Sequence, residues 1–160
     1  ACNWRCVYCQ VPGLVFGQAP AVDLELLERE LHGFLGRVVQ GDWMERNVPA
    51  GARRLNDVAF SGNGEPTSSP CFPEAVACAR KVLAELDLIG RVKLVLITNG
   101  SLLHKPEVQR GVRALATANG ELWFKLDSAT EAELVSTRGQ RDQDAGLLEP
   151  RRRRRLRPAK

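Results

Sequence analysis

Nowhere in the 160 residues does an apolar run approach the roughly 20 that a membrane helix requires. No basic stretch followed by an apolar one opens the chain in the manner of a secretory signal. Those two absences predict a soluble chain with no membrane partner and a cytoplasmic address by default. A disulfide framework is also missing its usual mark, because cysteines number five, an odd count, and three of them fall within the first nine residues. Reduced thiols used as ligands are the expected state. Histidine is scarce: His32 sits on a predicted helix and His104 near a helix start, so surface or packing roles are expected of both. The last ten residues contain no acid and seven of the basic residues, so a net charge of +4 for the chain leaves −3 for residues 1–150. The basic pI therefore reports the tail alone, and charge does not select a nucleic acid as the partner of the body. Length is short of the about 250 residues of a full (β/α)8 barrel, while 44% hydrophobic and 26% charged residues are ordinary for a folded domain and exclude general disorder.

What is present is an alternation of periods. Over residues 22–40, Leu24, Leu27, Leu31, Phe34 or Leu35, and Val38 recur at helical spacing behind Asp23, a candidate N-cap. Residues 41–55 read as a connecting loop. Asp57 to Phe60 reads as a short strand, and Phe72, Val76, Ala79, Leu83 and Leu86 as the next helix, with Pro73 in its first turn. Residues 92–97 form a nearly unbroken aliphatic run, the pattern of a parallel strand buried on both faces. It leads through Thr98, Asn99 and Gly100 into a helix carrying Val108, Val112 and Leu115. Residues 121–127 alternate, placing Leu122, Phe124 and Leu126 on one face and Trp123, Lys125 and Asp127 on the other. Strand and helix in alternation predict βαβ units and a parallel sheet, open or closed, with function at the C-terminal ends of its strands. Residues 1–134 are expected to form the core and residues 135–160 an arginine-rich, disordered tail.

Three groups of residues carry chemistry. Cys2, Cys6 and Cys9 have the spacing C-x3-C-x2-C, which can bring three thiolates around one metal centre. Three ligands on a four-iron cubane leave one iron open to an exchangeable group. Zinc is the alternative, but it requires a fourth ligand such as His32, Cys71 or Cys78; otherwise Cys71 and Cys78 read as small core residues. Ser61-Gly62-Asn63-Gly64-Glu65-Pro66 follows the first predicted strand: Gly62 and Gly64 allow close approach to the backbone, Pro66 keeps Glu65 extended, and the carboxylate can accept hydrogen bonds from an ammonium group. Taken alone, such a turn is usually a solvated loop. Thr98-Asn99-Gly100 closes the aliphatic strand, either as a capping turn or with Asn99 as a ligand contact. Tyr8 reads as loop packing or as part of the site. Lys125 and Asp127 face away from the predicted helices and need partners, which can be each other or a ligand. The arginine run offers only sequence-blind attraction to RNA or anionic lipid.

Cys2-Asn3-Trp4-Arg5-Cys6-Val7-Tyr8-Cys9 resembles the cluster loop of the radical S-adenosylmethionine superfamily, C-x3-C-x-aromatic-C, with Tyr8 in the aromatic place. The glycine-rich segment is similar to that family's Gly-Gly-Glu, with Asn63 replacing a glycine, and Thr98-Asn99-Gly100 is similar to a frequent family sequence at the corresponding strand end. Over residues 1–130 the resemblance implies a partial, TIM-like (β/α) barrel. It implies a 4Fe–4S cluster on Cys2, Cys6 and Cys9, and S-adenosylmethionine held by Tyr8, Gly62, Gly64, Glu65, Asn99 and Asp127. Such an enzyme cleaves the cofactor reductively to a 5′-deoxyadenosyl radical that abstracts hydrogen from a substrate, here an RNA base or a protein, and takes its electron from a donor such as flavodoxin or ferredoxin. Asn-Gly-Glu-Pro-Thr has a likeness to radical enzymes that modify tRNA bases, and the cluster loop to glycyl-radical activating enzymes. Because Ala1 stands directly before the first ligand, the fold is expected to be truncated at both ends, poorly stable and weakly active. A zinc-binding nucleic-acid module and a simple electron-transfer iron–sulfur protein are the competing readings.

Overall fold

The computed structural model describes residues 1–6 and 8–125. In chain order the elements are α1 (Leu24–Val39), α2 (Trp43–Asn47), β1 (Asp57–Phe60), α3 (Phe72–Glu85), β2 (Lys93–Thr98), α4 (Pro106–Ala116) and β3 (Gly120–Phe124). Single 3-10 turns occupy Ala50–Ala52 and Pro66–Ser68.

α1 starts where the sequence supplies a cap: Asp23 Oδ1 accepts the Leu26 amide at 2.9 Å, satisfying one of the orphan donors of the first turn. Its buried face carries Leu35 and Val38, so Leu35 continues the apolar stripe and Phe34 lies outside it. Phe34 instead meets Trp43 edge-on, with ring centroids 5.3 Å apart. That contact accompanies α2, a helix in the segment expected to be a loop. α2 buries none of its five residues, so the segment has no apolar period from which to read it.

The three strands are parallel and ordered β1-β2-β3. Val58 pairs with Leu94 and Phe60 with Leu96, while Leu96 pairs with Leu122 and Thr98 with Phe124. Side chains alternate across a strand. Val58, Phe60, Leu94 and Leu96 accordingly share one face and join Leu35 of α1, Phe72, Val76, Val82 and Leu83 of α3, and Val108 and Leu115 of α4 in a single core. Leu122 and Phe124 lie on that helix-facing side by register, as the alternation predicted. Ala59, Val95, Ile97 and Trp123 belong to the other side.

The architecture is thus mixed α/β with a small open parallel sheet. Among the described residues the sheet is open and has three strands, and no barrel is shown. Leu126, Asp127 and the 135–160 tail lie outside the described residues.

Candidate functional site

The cysteine loop begins as a closed excursion. Cys2 and Phe16 form an isolated parallel bridge, with the Cys2 amide donating to Val15 O at 3.0 Å and the Gly17 amide to Cys2 O at 2.9 Å. Arg5 lies over the Phe16 ring, 5.1 Å from its centroid. Between those ends the Cys9 amide donates to Cys6 O at 3.0 Å, forming a turn between the second and third cysteines of the loop. The Trp4 amide donates to Cys2 Sγ at 3.4 Å.

Two further backbone contacts fasten the loop to the segment after β1. The Glu65 amide donates to Ala1 O at 3.2 Å and the Ala1 nitrogen reaches Asn63 O at 3.5 Å. Gly64 is required there. A Cβ at that position would stand 1.8 Å from Ala1 O, and its φ of +157° is one that L side chains rarely adopt. The close approach expected of a ligand at Gly64 is made by the chain's own Ala1 carbonyl.

Glu65 is 3% exposed, which overturns the solvated-loop alternative. Its backbone is extended, as Pro66 dictates, and it caps the Pro66–Ser68 turn. Oε1 accepts from the Thr67 amide at 3.2 Å, Thr67 Oγ1 at 2.6 Å and Thr98 Oγ1 at 2.6 Å. Oε2 accepts from the Asn99 amide at 2.8 Å. Every one of these donors is neutral, and among the described residues no Lys or Arg forms an ion pair with the carboxylate.

At the end of β2, Thr98 Oγ1 also accepts the Gly100 amide at 3.0 Å, and Gly100 itself has φ +74° with the Phe124 ring packed where a Cβ would be. The Lys125 amide donates to Thr98 O at 2.9 Å and extends the β3 pairing by one residue.

These segments enclose a cavity of about 270 Å³. Cys2, Cys6 and Cys9 line it, and so do Tyr8, Gly62, Gly64, Glu65 and Asn99. Every expected site residue within the described part of the chain therefore borders one space. Trp4, Ile97 and Lys125 join them, and Tyr8 is 49% exposed at its edge. Asp127 lies outside the described residues. The thiols share this cavity without converging: among the described residues no three His, Cys, Asp or Glu side chains gather as a preformed metal site. His32, Cys71 and Cys78, the alternative fourth ligands for zinc, do not border the cavity. Cys78 is buried on α3, its Sγ 3.9 Å from Leu24 O, and burial, followed by the Glu28 carboxylate, pushes its thiol pKa up. A second cavity of about 340 Å³, walled by Val22, Leu27, Phe60 and Phe72, shares Gly64 and Glu65 with the first and contains no cysteine.

Residues the sequence did not single out complete the arrangement. Asn3 and Ser101 bond to Asn99, and Thr67 to Glu65. Asn3 lies between Cys2 and Cys6 and Thr67 in the Asn-Gly-Glu-Pro-Thr string, but nothing local to either marks its partner. No family model, curated protein or solved structure matches the chain.

Proposed function

We propose that this chain is the cluster- and cofactor-binding part of a radical S-adenosylmethionine enzyme. The observation that carries the reading is the one cavity bordered by all three cysteines together with Glu65 and Asn99. The donor set fits the group. Three thiols with no further Cys or His bordering the cavity among the described residues suit a four-iron cluster with one open iron better than a closed structural zinc site.

In this reading Cys2, Cys6 and Cys9 hold the 4Fe–4S cluster as thiolates. Glu65 receives the ammonium of S-adenosylmethionine. Its carboxylate is buried among neutral donors, and Oε2, which accepts one protein hydrogen bond, retains acceptor capacity. Asn99 orients that oxygen through its amide, and Lys125 borders the cavity as a cation for the cofactor's carboxylate. Gly62, with φ +110° and no atom within 4 Å of a built Cβ, leaves open space on the cavity wall, and Tyr8 packs at its edge. When bound, cluster and cofactor together supply one-electron cleavage of a sulfur–carbon bond and hydrogen abstraction from a substrate. Cys9 is exposed, which brings an electron donor of the flavodoxin or ferredoxin kind within reach of the cluster ligands.

The test is anaerobic reconstitution with iron and sulfide, quantification of both, and chromatography of products after reduction in the presence of S-adenosylmethionine. About four irons per chain, lost on replacing Cys2, Cys6 or Cys9 with Ala, and release of 5′-deoxyadenosine are expected. One equivalent of colourless zinc would favour the zinc module. A cluster that yields no 5′-deoxyadenosine would favour electron transfer.

A further inference from the structure

Cys2 is held on both sides. Its preceding neighbour, Ala1, accepts the Glu65 amide through its carbonyl at 3.2 Å. Its following neighbour, Asn3, is tied by its side chain to the end of β2: Nδ2 donates to Ser101 Oγ at 2.6 Å, and Oδ1 accepts from Asn99 Nδ2 at 3.1 Å. Ser101 Oγ in turn donates to Asn99 Oδ1 at 2.7 Å, and the Ser101 amide donates to the same oxygen at 3.0 Å. The three side chains thus form a ring in which each gives one hydrogen bond and takes one. A larger circuit encloses it, because the Asn99 amide donates to Glu65 Oε2 at 2.8 Å and the Glu65 amide returns to Ala1. The path from one neighbour of Cys2 to the other therefore runs through both polar residues of the site.

We propose that Asn3, acting with Ser101, is a positioning residue that fixes the Cys2 thiol against Glu65 and Asn99. The identity of what Cys2 holds rests on the function proposed above; the clamp itself does not. Asn3 is no ligand in this scheme. It sets where one ligand stands relative to the residues that receive the cofactor, and it keeps the Asn99 side chain turned toward the cysteine loop.

The experiment is performed on the metal-free chain of residues 1–160, so it does not depend on cluster assembly. Cys2 and Cys78 are alkylated with iodoacetamide in a time course and their rates read from peptide masses, in wild type, Asn3→Ala, Ser101→Ala, the double variant and Ser101→Thr. Loss of a hydrogen-bonded tether is expected to raise the Cys2 rate about tenfold in Asn3→Ala, with the rate of Cys78, buried on α3, unchanged. Ser101→Ala should act in the same direction, and Ser101→Thr, which keeps the hydroxyl, should restore the wild-type rate. The double variant should be no faster than Asn3→Ala, because residues of one ring are not additive. A Cys2 rate indifferent to Asn3, or Cys2 and Cys78 rising together as general unfolding would make them, overturns the proposal. Wild-type chain that takes up about four irons while Cys2 ignores Asn3 would sink the clamp and leave the function standing. A clamped Cys2 in a chain that assembles no cluster would do the reverse.

Discussion

Glu65 combines near-complete burial with four accepted hydrogen bonds, so the cost of altering it follows from what its donors would lose. In Glu65→Gln one acceptor oxygen becomes an amide donor. Threonine hydroxyls can rotate to adapt, whereas the amides of Thr67 and Asn99 cannot, and one of them is left without its partner. A loss of about 1–3 kcal/mol in urea-unfolding free energy is expected. At Gly64 the argument is steric. Gly64→Ala drives a methyl into Ala1 O and should release the cysteine loop, read as faster tryptic cleavage at Arg5 with the helical circular dichroism retained. Cys2, Cys6, Cys9 and Glu65 were singled out in the sequence because cysteine spacing and a Gly-Glu-Pro turn are local signals. Their partners were not: Thr98 reaches Glu65 across 33 residues and Asn3 reaches Ser101 across 98, separations at which no periodicity operates.

Elements formed where pattern and punctuation agreed. Asp23 both precedes the apolar stripe of α1 and caps it, so Asp23→Ala should cost about 1 kcal/mol, measured by thermal or urea unfolding. The aliphatic run before Thr98 identified β2, and the alternation after it gave the helix-facing side of β3. α2 escaped notice because it packs by one aromatic edge contact rather than by a buried face. Across β2 and β3, Lys93 pairs with Glu121, which also accepts from Trp123 Nε1 at 2.9 Å. The Lys93 hydrogen bond, then that from Trp123, holds the Glu121 carboxyl below its ordinary pKa. A carboxyl lowered in the folded state adds stability above its unfolded pKa and loses it as pH falls through the folded one. Urea midpoints of wild type should therefore fall more than those of Glu121→Gln between about pH 5 and about pH 3. The pair is exposed, so the difference should be small and should shrink further in high salt.

At the scale of the whole molecule, helices α1, α3 and α4 pack on one side of a three-stranded sheet, and the site collects at the strand ends. The segment after β1 supplies Glu65, the turn after β2 supplies Asn99, and the residue after β3 supplies Lys125, all bordering the cavity of the cysteines. This is where a parallel α/β arrangement places ligands, because loops leaving the carboxyl ends converge there. The order of strands and helices was readable because each βαβ unit carries its own periods, whereas closure into a barrel depends on strand number and is not encoded in any one unit. That the three cysteines, Glu65 and Asn99 border one cavity is the feature on which the proposed function stands. Its most direct test is electron paramagnetic resonance of the reconstituted, reduced protein recorded with and without S-adenosylmethionine. A reduced-cluster signal that shifts when S-adenosylmethionine is added, and does not shift in Glu65→Gln, is the expected result. A cluster signal indifferent to S-adenosylmethionine in the wild-type chain would contradict it.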